Sequence, residues 1–288
     1  MKAYLDCYPC FLTQTLKTAR FVTSDEKTIR QILDEVGLAL AGRSFDVPPP
    51  VISQAIYRII AARLGVQDPY REIKQNCIGQ ALSLYPRLKR LIAESPDRLF
   101  TAVKLAIAGN VIDFGANADF DLKTDVDQIL AQDPAVNHFP EFRKMLDKAG
   151  RILYLADNAG ETVFDRLLIE ELRKPVVYAV RQSPIINDAL HADAVQSGIG
   201  QVARIISSGV GTPGTVLAFC SPEFLETYRS ADLIISKGQG NFEALSDEDR
   251  PIFFLLKIKC DVVARHLGRN KGDIVLMSSK TKCFPIPG

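Results

Sequence analysis

The chain has 288 residues, 47% of them hydrophobic and 24% charged, and its 35 basic and 34 acidic side chains leave a formal net charge of +1. That composition suits a globular protein with a sizeable core and excludes a disordered or fibrous one. The charge balance gives no general attraction to nucleic acid, and apolar stretches such as Ile252 to Leu256 are far shorter than the roughly 20 residues a membrane span requires. The N-terminus reaches Asp6 and Cys7 without an apolar run. The expectations are therefore no nucleic-acid partner, no membrane and a cytoplasmic location.

Cys7, Cys10, Cys77, Cys220, Cys260 and Cys283 are the six cysteines, and in a reducing compartment they are expected as thiols or metal ligands. Only Cys7-Tyr-Pro-Cys10 forms a motif. A single CxxC leaves three readings open: local packing, metal binding with a distant cysteine, or redox chemistry.

From Phe11 to about Leu130 the apolar residues recur at helix spacing, as in Leu12, Thr15, Leu16 and Ala19, and in Ile29, Ile32, Leu33, Val36 and Leu40. Breaks are expected at Ser24-Asp25, Asp46 to Pro50, Asp68-Pro69, Tyr85-Pro86 and Ser95-Pro96-Asp97. Near the end of this region Asn110 and Asp113 interrupt an apolar run, sharing one face if the run is helical. Buried there, they would need partners; the alternative is a helix cap before Gly115.

After Arg151 strands alternate with helices, the pattern of a mostly parallel sheet. The expected strands are Ile152 to Ala156, Val176 to Val180, Ala203 to Ser207, Asp232 to Ser236, Ile252 to Leu256 and Asp273 to Met277. The division is a helical N-terminal subdomain over residues 1–130 and an α/β metal- and phosphate-binding core over 131–288, a three-layer α/β/α arrangement.

Parallel strands would carry the turns that follow them to one edge, where open α/β sheets bind ligands. Those turns hold Asp157-Asn158, Asp188, Ser207 to Thr215 with Gly209, and Lys237 to Glu243 with Gly238 and Asn241. Two carboxylates and an amide oxygen are hard ligands, suited to Mg²⁺ or Mn²⁺ rather than to thiolate-preferring Zn²⁺. Backbone N–H groups of the Ser207 to Thr215 loop, opening a helix near Pro213, would hold a phosphate, and Lys237 would add a point charge. A hard cation beside an anion site implies phosphoryl chemistry, in which the metal polarises a phosphoryl oxygen and activates water while Lys237 stabilises the developing charge. No Walker A or GxGxxG sequence lies at these loops, which argues against a P-loop kinase or a standard dehydrogenase.

Cys7-Tyr-Pro-Cys10, Gly109-Asn110-Val-Ile-Asp113-Phe-Gly115, Asp157-Asn158-Ala-Gly-Glu161, Pro184-Ile-Ile-Asn187-Asp188 and Lys237-Gly-Gln-Gly-Asn241-Phe-Glu243 together resemble the family catalogued as domain of unknown function 89. Its members are described as metal-dependent damage-control phosphatases, and the CxxC start is similar to its archaeal and bacterial branch. The resemblance implies a Rossmann-like core and a divalent ion, often Mn²⁺, Co²⁺ or Ni²⁺, held by Asp157, Asn158 and Asp188. It implies hydrolysis of sugar phosphates or damaged phosphometabolites, with a small-molecule phosphate ester as partner. Lys237, Asn241 and Glu243 would lie near the phosphate, with Asn110 and Asp113 contributing from the helical side. Two other readings stand beside it: an adenosylmethionine-dependent protein carboxyl methyltransferase, and a non-catalytic metal- or metabolite-binding module.

Overall fold

A computed structural model describes residues 1–109 and 130–280. The chain opens with five helices, α1 (Cys7–Val22), α2 (Glu26–Ala41), α3 (Pro49–Leu64), α4 (Arg71–Glu94) and α5 (Arg98–Gly109). Local chemistry explains their ends. The Asp25 carboxylate accepts the N–H groups of Lys27 and Thr28 at the start of α2. Pro49 and Pro50 open α3, where a missing N–H costs nothing, and Gly65 closes it in the left-handed conformation at φ 65. One expected break is absent. Helix α4 runs through Tyr85-Pro86 to Glu94, so Pro86 sits inside a helix long enough to absorb the lost hydrogen bond.

The apolar stripes of α1 to α3, with Phe11, Ala19, Ile29, Ile32, Val36, Leu40, Ile52, Ile56 and Ile60, form one cluster that also takes in Ile185 from the later half of the chain. Helices α4 and α5 instead share a second cluster with one face of the sheet.

Among the described residues the sheet has seven strands: β1 (Val136–Asn137), β2 (Ile152–Leu155), β3 (Val176–Val180), β4 (Arg204–Ser207), β5 (Leu233–Lys237), β6 (Ile252–Lys257) and β7 (Ile274–Ser278). Their spatial order is β1-β7-β6-β5-β2-β3-β4. All neighbours pair in parallel except β6 and β7. Six of these strands are the ones expected from the apolar runs, within a residue or two at each end. The two-residue β1 is too short to leave a periodic signal.

Between the strands lie α6 (Phe139–Lys148), α7 (Thr162–Leu172), α8 (His191–Gln196), α9 (Pro222–Ser230), α10 (Gly238–Leu245) and α11 (Asp261–Leu267). Side chains alternate across the pleat. Tyr154, Tyr178, Ile235 and Phe253 face α4 to α8, while Leu153, Leu155, Ile234 and Phe254 face α9 to α11. Each such fully buried side chain contributes roughly 1.5–3 kcal/mol. The chain moves outward from β2 through β3 to β4, then crosses back to lay β5 on the other side of β2. The ends of β2 and β5 therefore flank the point where strand order reverses, the place such sheets open a crevice.

The helical region is pinned to the sheet by charge. Buried Lys74 of α4 lies 2.8 Å from Asp68 and 3.1 Å from Asp193 of α8, whose carboxylate also accepts the Leu190 N–H. Lys74→Met leaves two carboxylates without their counter-charge and is expected to cost about 3 kcal/mol in urea unfolding.

Candidate functional site at the β2–β5 crevice

At the end of β2 the chain turns through Asp157 and Asn158 into a short 3-10 turn and then α7. The turn after β3 is laced to it. Asn158 and Asp188 form an isolated antiparallel bridge, with Ala159 N–H donating to Asn187 and Ala189 N–H to Asp157, each at 2.8 Å. To reach that bridge the backbone passes Ile186 at φ 44, a conformation that costs a β-branched residue about 1–3 kcal/mol. Packing of Ile185 into the helical cluster holds it there. Strain and burial together set Asp188 beside Asn158.

Gly238 brings the end of β5 to the same place. It sits at φ 76, and a Cβ on it would overlap the Asp157 carboxylate. Behind it, Asn241 donates to the carbonyls of Ala156 and Lys237, and its oxygen accepts from Arg181 at 3.1 Å and from the Thr215 N–H and hydroxyl at 2.8 Å. Arg181 also donates to Asp188 at 2.8 Å and to Thr215 at 2.9 Å. The ends of β2, β3 and β5 and the loop beyond β4 are thus joined by one buried polar network.

Beneath the turn lies a second layer of charge. Lys237 is fully buried, 2.8 Å from Glu161 and 2.7 Å from Asp165, and Asp165 accepts from the hydroxyls of Tyr154 and Tyr178. Burial opposes the charge on Lys237, yet the two carboxylates hold it above the usual lysine range. Glu161 also accepts from Asn158 Nδ2 at 2.6 Å, as does Asp157 at 3.2 Å. With its amide nitrogen committed to these carboxylates, Asn158 turns its oxygen the other way.

Two carboxylates are buried at this end of the sheet, Asp157 and Asp188. Burial pushes the Asp157 carboxyl well above the usual carboxylate value; Glu161 and Asp188 add to the rise, and Lys259 and Arg181 oppose it. Burial raises Asp188 too, against the pull of Arg181. Two carboxylates and an amide oxygen crowded until they disfavour their own charge suit a hard divalent cation. Among the described residues no three His, Cys, Asp or Glu side chains are grouped to hold a metal, so a cation here would rest on Asp157, Asp188, the Asn158 oxygen and water.

Several expected site residues take other places. Asn110 and Asp113 lie outside the described residues. The Ser207 hydroxyl binds Gln182 and accepts the Gly209 N–H, while Gly209, at φ 81, packs against the Ser221 backbone. No helix opens at Pro213; the next α-helix, α9, starts at Pro222 with Ser221 as its cap. Residues 213–214 pack instead against Gly240, too closely for a side chain on either glycine. Lys237 faces Glu161 and Asp165, and Asn241 is committed on both sides of its amide. Glu243 lies on the following turn of α10, bonded to Gln239 at 2.8 Å. Arg181, Glu161, Asp165 and Lys259 had no assigned role. Arg181 was detectable as the first charge after an apolar strand, and Glu161 and Asp165 as acids four apart on one helix face.

Two predictions follow from this geometry. Gly238→Ala forces its Cβ into Asp157 in a left-handed conformation, and thermal denaturation is expected to show a loss of about 1–3 kcal/mol. Burial raises the Glu243 carboxyl from 4.5 to about 7, with Gln239 and the N-terminal ammonium opposing the shift. Because the folded state then binds this proton more tightly than the unfolded chain does, stability falls as pH rises through that interval. Glu243→Gln should flatten the pH dependence of the melting temperature there.

The comparisons agree with this architecture. A family model described as the damage-control phosphatase ARMT1-like domain matches residues 3–275. Damage-control phosphatase PH1575 of Pyrococcus horikoshii is 36% identical over 98% of this chain and 100% of its own length. A damage-control phosphatase of Archaeoglobus fulgidus is 34% identical over 93% of this chain and 96% of its own. The crystal structure of a DUF89 family protein from Pyrococcus horikoshii superposes with a TM-score of 0.91 at 35% identity, covering 97% of this chain and 99% of that one. By sequence and by fold, the chain belongs to the damage-control phosphatase ARMT1-like family.

Proposed function

We propose that the protein hydrolyses small-molecule phosphate monoesters, sugar phosphates or damaged phosphometabolites among them, with a divalent ion held by Asp157, Asn158 and Asp188. One observation carries the reading: the buried carboxylates of Asp157 and Asp188, whose charge burial disfavours, lie beside Asn158 at the reversal point of the sheet. Mn²⁺, Co²⁺, Ni²⁺ and Mg²⁺ all accept such a donor set. When bound, the ion would polarise the phosphoryl oxygens and supply a nucleophilic water at neutral pH.

The chain's own residues divide the remaining work. Glu161 and Asp157 orient the Asn158 amide, Arg181 holds Asp188, and Gly238 lets the β5 turn close over Asp157. Lys237, tied to two carboxylates, offsets the negative charge under the site and holds Glu161 in place. Lys259 is exposed and its charge acts on Asp157, which suits it to meet an incoming phosphate. Lys237 thus stabilises the site from below and Lys259 binds from above.

The test is phosphate release from p-nitrophenyl phosphate and a panel of sugar phosphates after chelation and readdition of each ion. The expected result is metal-stimulated turnover that Asp157→Ala lowers about a hundredfold or more. Ion-independent turnover, or full activity in Asp157→Ala, would contradict the proposal.

A further inference from the structure

Asp188 reaches the crevice through strained backbone, and strain of this kind persists only where the surroundings hold it. Ile186, two residues earlier, sits at φ 44. Released, a β-branched residue leaves that conformation, and the chain after it swings away from Asn158. Upstream the restraint is Ile185, buried in the cluster of α1 to α3. Downstream it is a series of polar contacts. The Ala189 N–H donates to the Asp157 carbonyl at 2.8 Å, the Ala189 carbonyl accepts the Arg181 N–H at 3.0 Å, and the Leu190 N–H donates to the Asp193 carboxylate at 2.9 Å.

The last of these contacts does more than cap a helix. Asp193 lies in the first turn of α8 and accepts the N–H of the residue before it, a task that a carboxylate in water performs as well. Here Asp193 is only 7% exposed, and the oxygen that accepts the Leu190 N–H also meets the ammonium of Lys74 of α4, at 3.1 Å. Asp68 lies 2.8 Å from the same ammonium, and one carboxylate suffices to balance one lysine. The second ties the α8 cap to the helical region. Tyr70, whose carbonyl accepts the backbone N–H of Lys74, packs in the same cluster as Ile185. Residues 185–190 are therefore held at both ends by the helical region. The Lys74 charge also acts on Asp188, against the rise that burial causes.

We infer that Asp193, clamped by Lys74, is a positioning residue of the cation site: it fixes Leu190, keeps Ile186 in its strained conformation and so keeps the Asp188 carboxylate beside Asn158. The helical region and the cation site are then coupled, because the ion binds the arrangement that the clamp stabilises. Such coupling is reciprocal: a bound ion tightens the clamp by the same factor by which the clamp tightens the ion. The inference rests on the reading of Asp157, Asn158 and Asp188 as ligands of the ion.

The test is the Mn²⁺ affinity of the full chain, measured by calorimetry after chelation. Asp193→Ala frees the Leu190 N–H and is expected to weaken binding about tenfold or more. Asp193→Asn, whose amide oxygen still accepts that N–H, should recover most of the affinity. Ile274→Val, which removes one methylene from the core at β7, should lower the melting temperature and leave the affinity unchanged. Should Asp193→Ala not fold, amide exchange on the wild-type chain decides: saturating Mn²⁺ is expected to slow exchange at Leu190 about tenfold. Unchanged affinity in a folded Asp193→Ala, an equal loss in Ile274→Val, or a Leu190 amide indifferent to Mn²⁺ would overturn the inference. A wild-type chain that binds no Mn²⁺, or binding that Asp157→Ala leaves intact, removes the proposed cation site and this inference with it. Binding lost in Asp157→Ala but unaffected in Asp193→Ala removes the inference alone.

Discussion

The site depends on a lysine that has no access to solvent. Lys237 ends the strand that returns to the centre of the sheet, and its ammonium is held between Glu161, at the end of the 3-10 turn after β2, and Asp165 of α7. Ions taken out of water at this depth cost several kcal/mol each unless closely paired. The pairing therefore fixes the position of α7 against β5. Glu161 carries that constraint upward, because the carboxylate that binds Lys237 also binds the Asn158 amide. What the sheet brings near, this ion pair orients.

Above that layer the structure accumulates negative charge and gives it little internal relief. Asp157 and Asp188 are both raised by burial, and Arg181 answers only part of the charge while also binding Thr215 and Asn241. Glycines at 214, 238 and 240 let backbone and carboxylate approach more closely than any side chain would allow. The proposed divalent ion would offset that charge, and the chain's membership in a damage-control phosphatase family agrees with such a site.

Much of the fold was legible because buried parallel strands write continuous apolar runs. The runs Ile152 to Ala156, Val176 to Val180 and Ile252 to Leu256 were visible in this way, and the turns holding Asp157-Asn158, Asp188, Ser207 to Thr215 and Lys237 to Glu243 announced a shared edge. Pro86 misled because local propensity says nothing of the packing that carries α4 past it. Pro213 misled because its turn is shaped by close approach to Gly240, a contact between distant segments. The pairing of Asn158 with Asp188 was anticipated from topology, but the use of Lys237 was not. A lysine in a polar turn reads as a solvated charge until its partners on another helix are known. Lys259 presents the converse case: it follows an apolar strand with no motif of its own, the sequence left open whether it reaches the site or starts the next helix, and in the fold its charge acts on Asp157.

The central claim is that Asp157, Asn158 and Asp188 form one cation site at the crevice. Crystals soaked with Mn²⁺ and inorganic phosphate, with data collected at the manganese absorption edge, test it directly. The account predicts an anomalous peak coordinated by the Asp157 and Asp188 carboxylates and the Asn158 oxygen. A fully occupied ion elsewhere, with those three side chains unchanged, would contradict it.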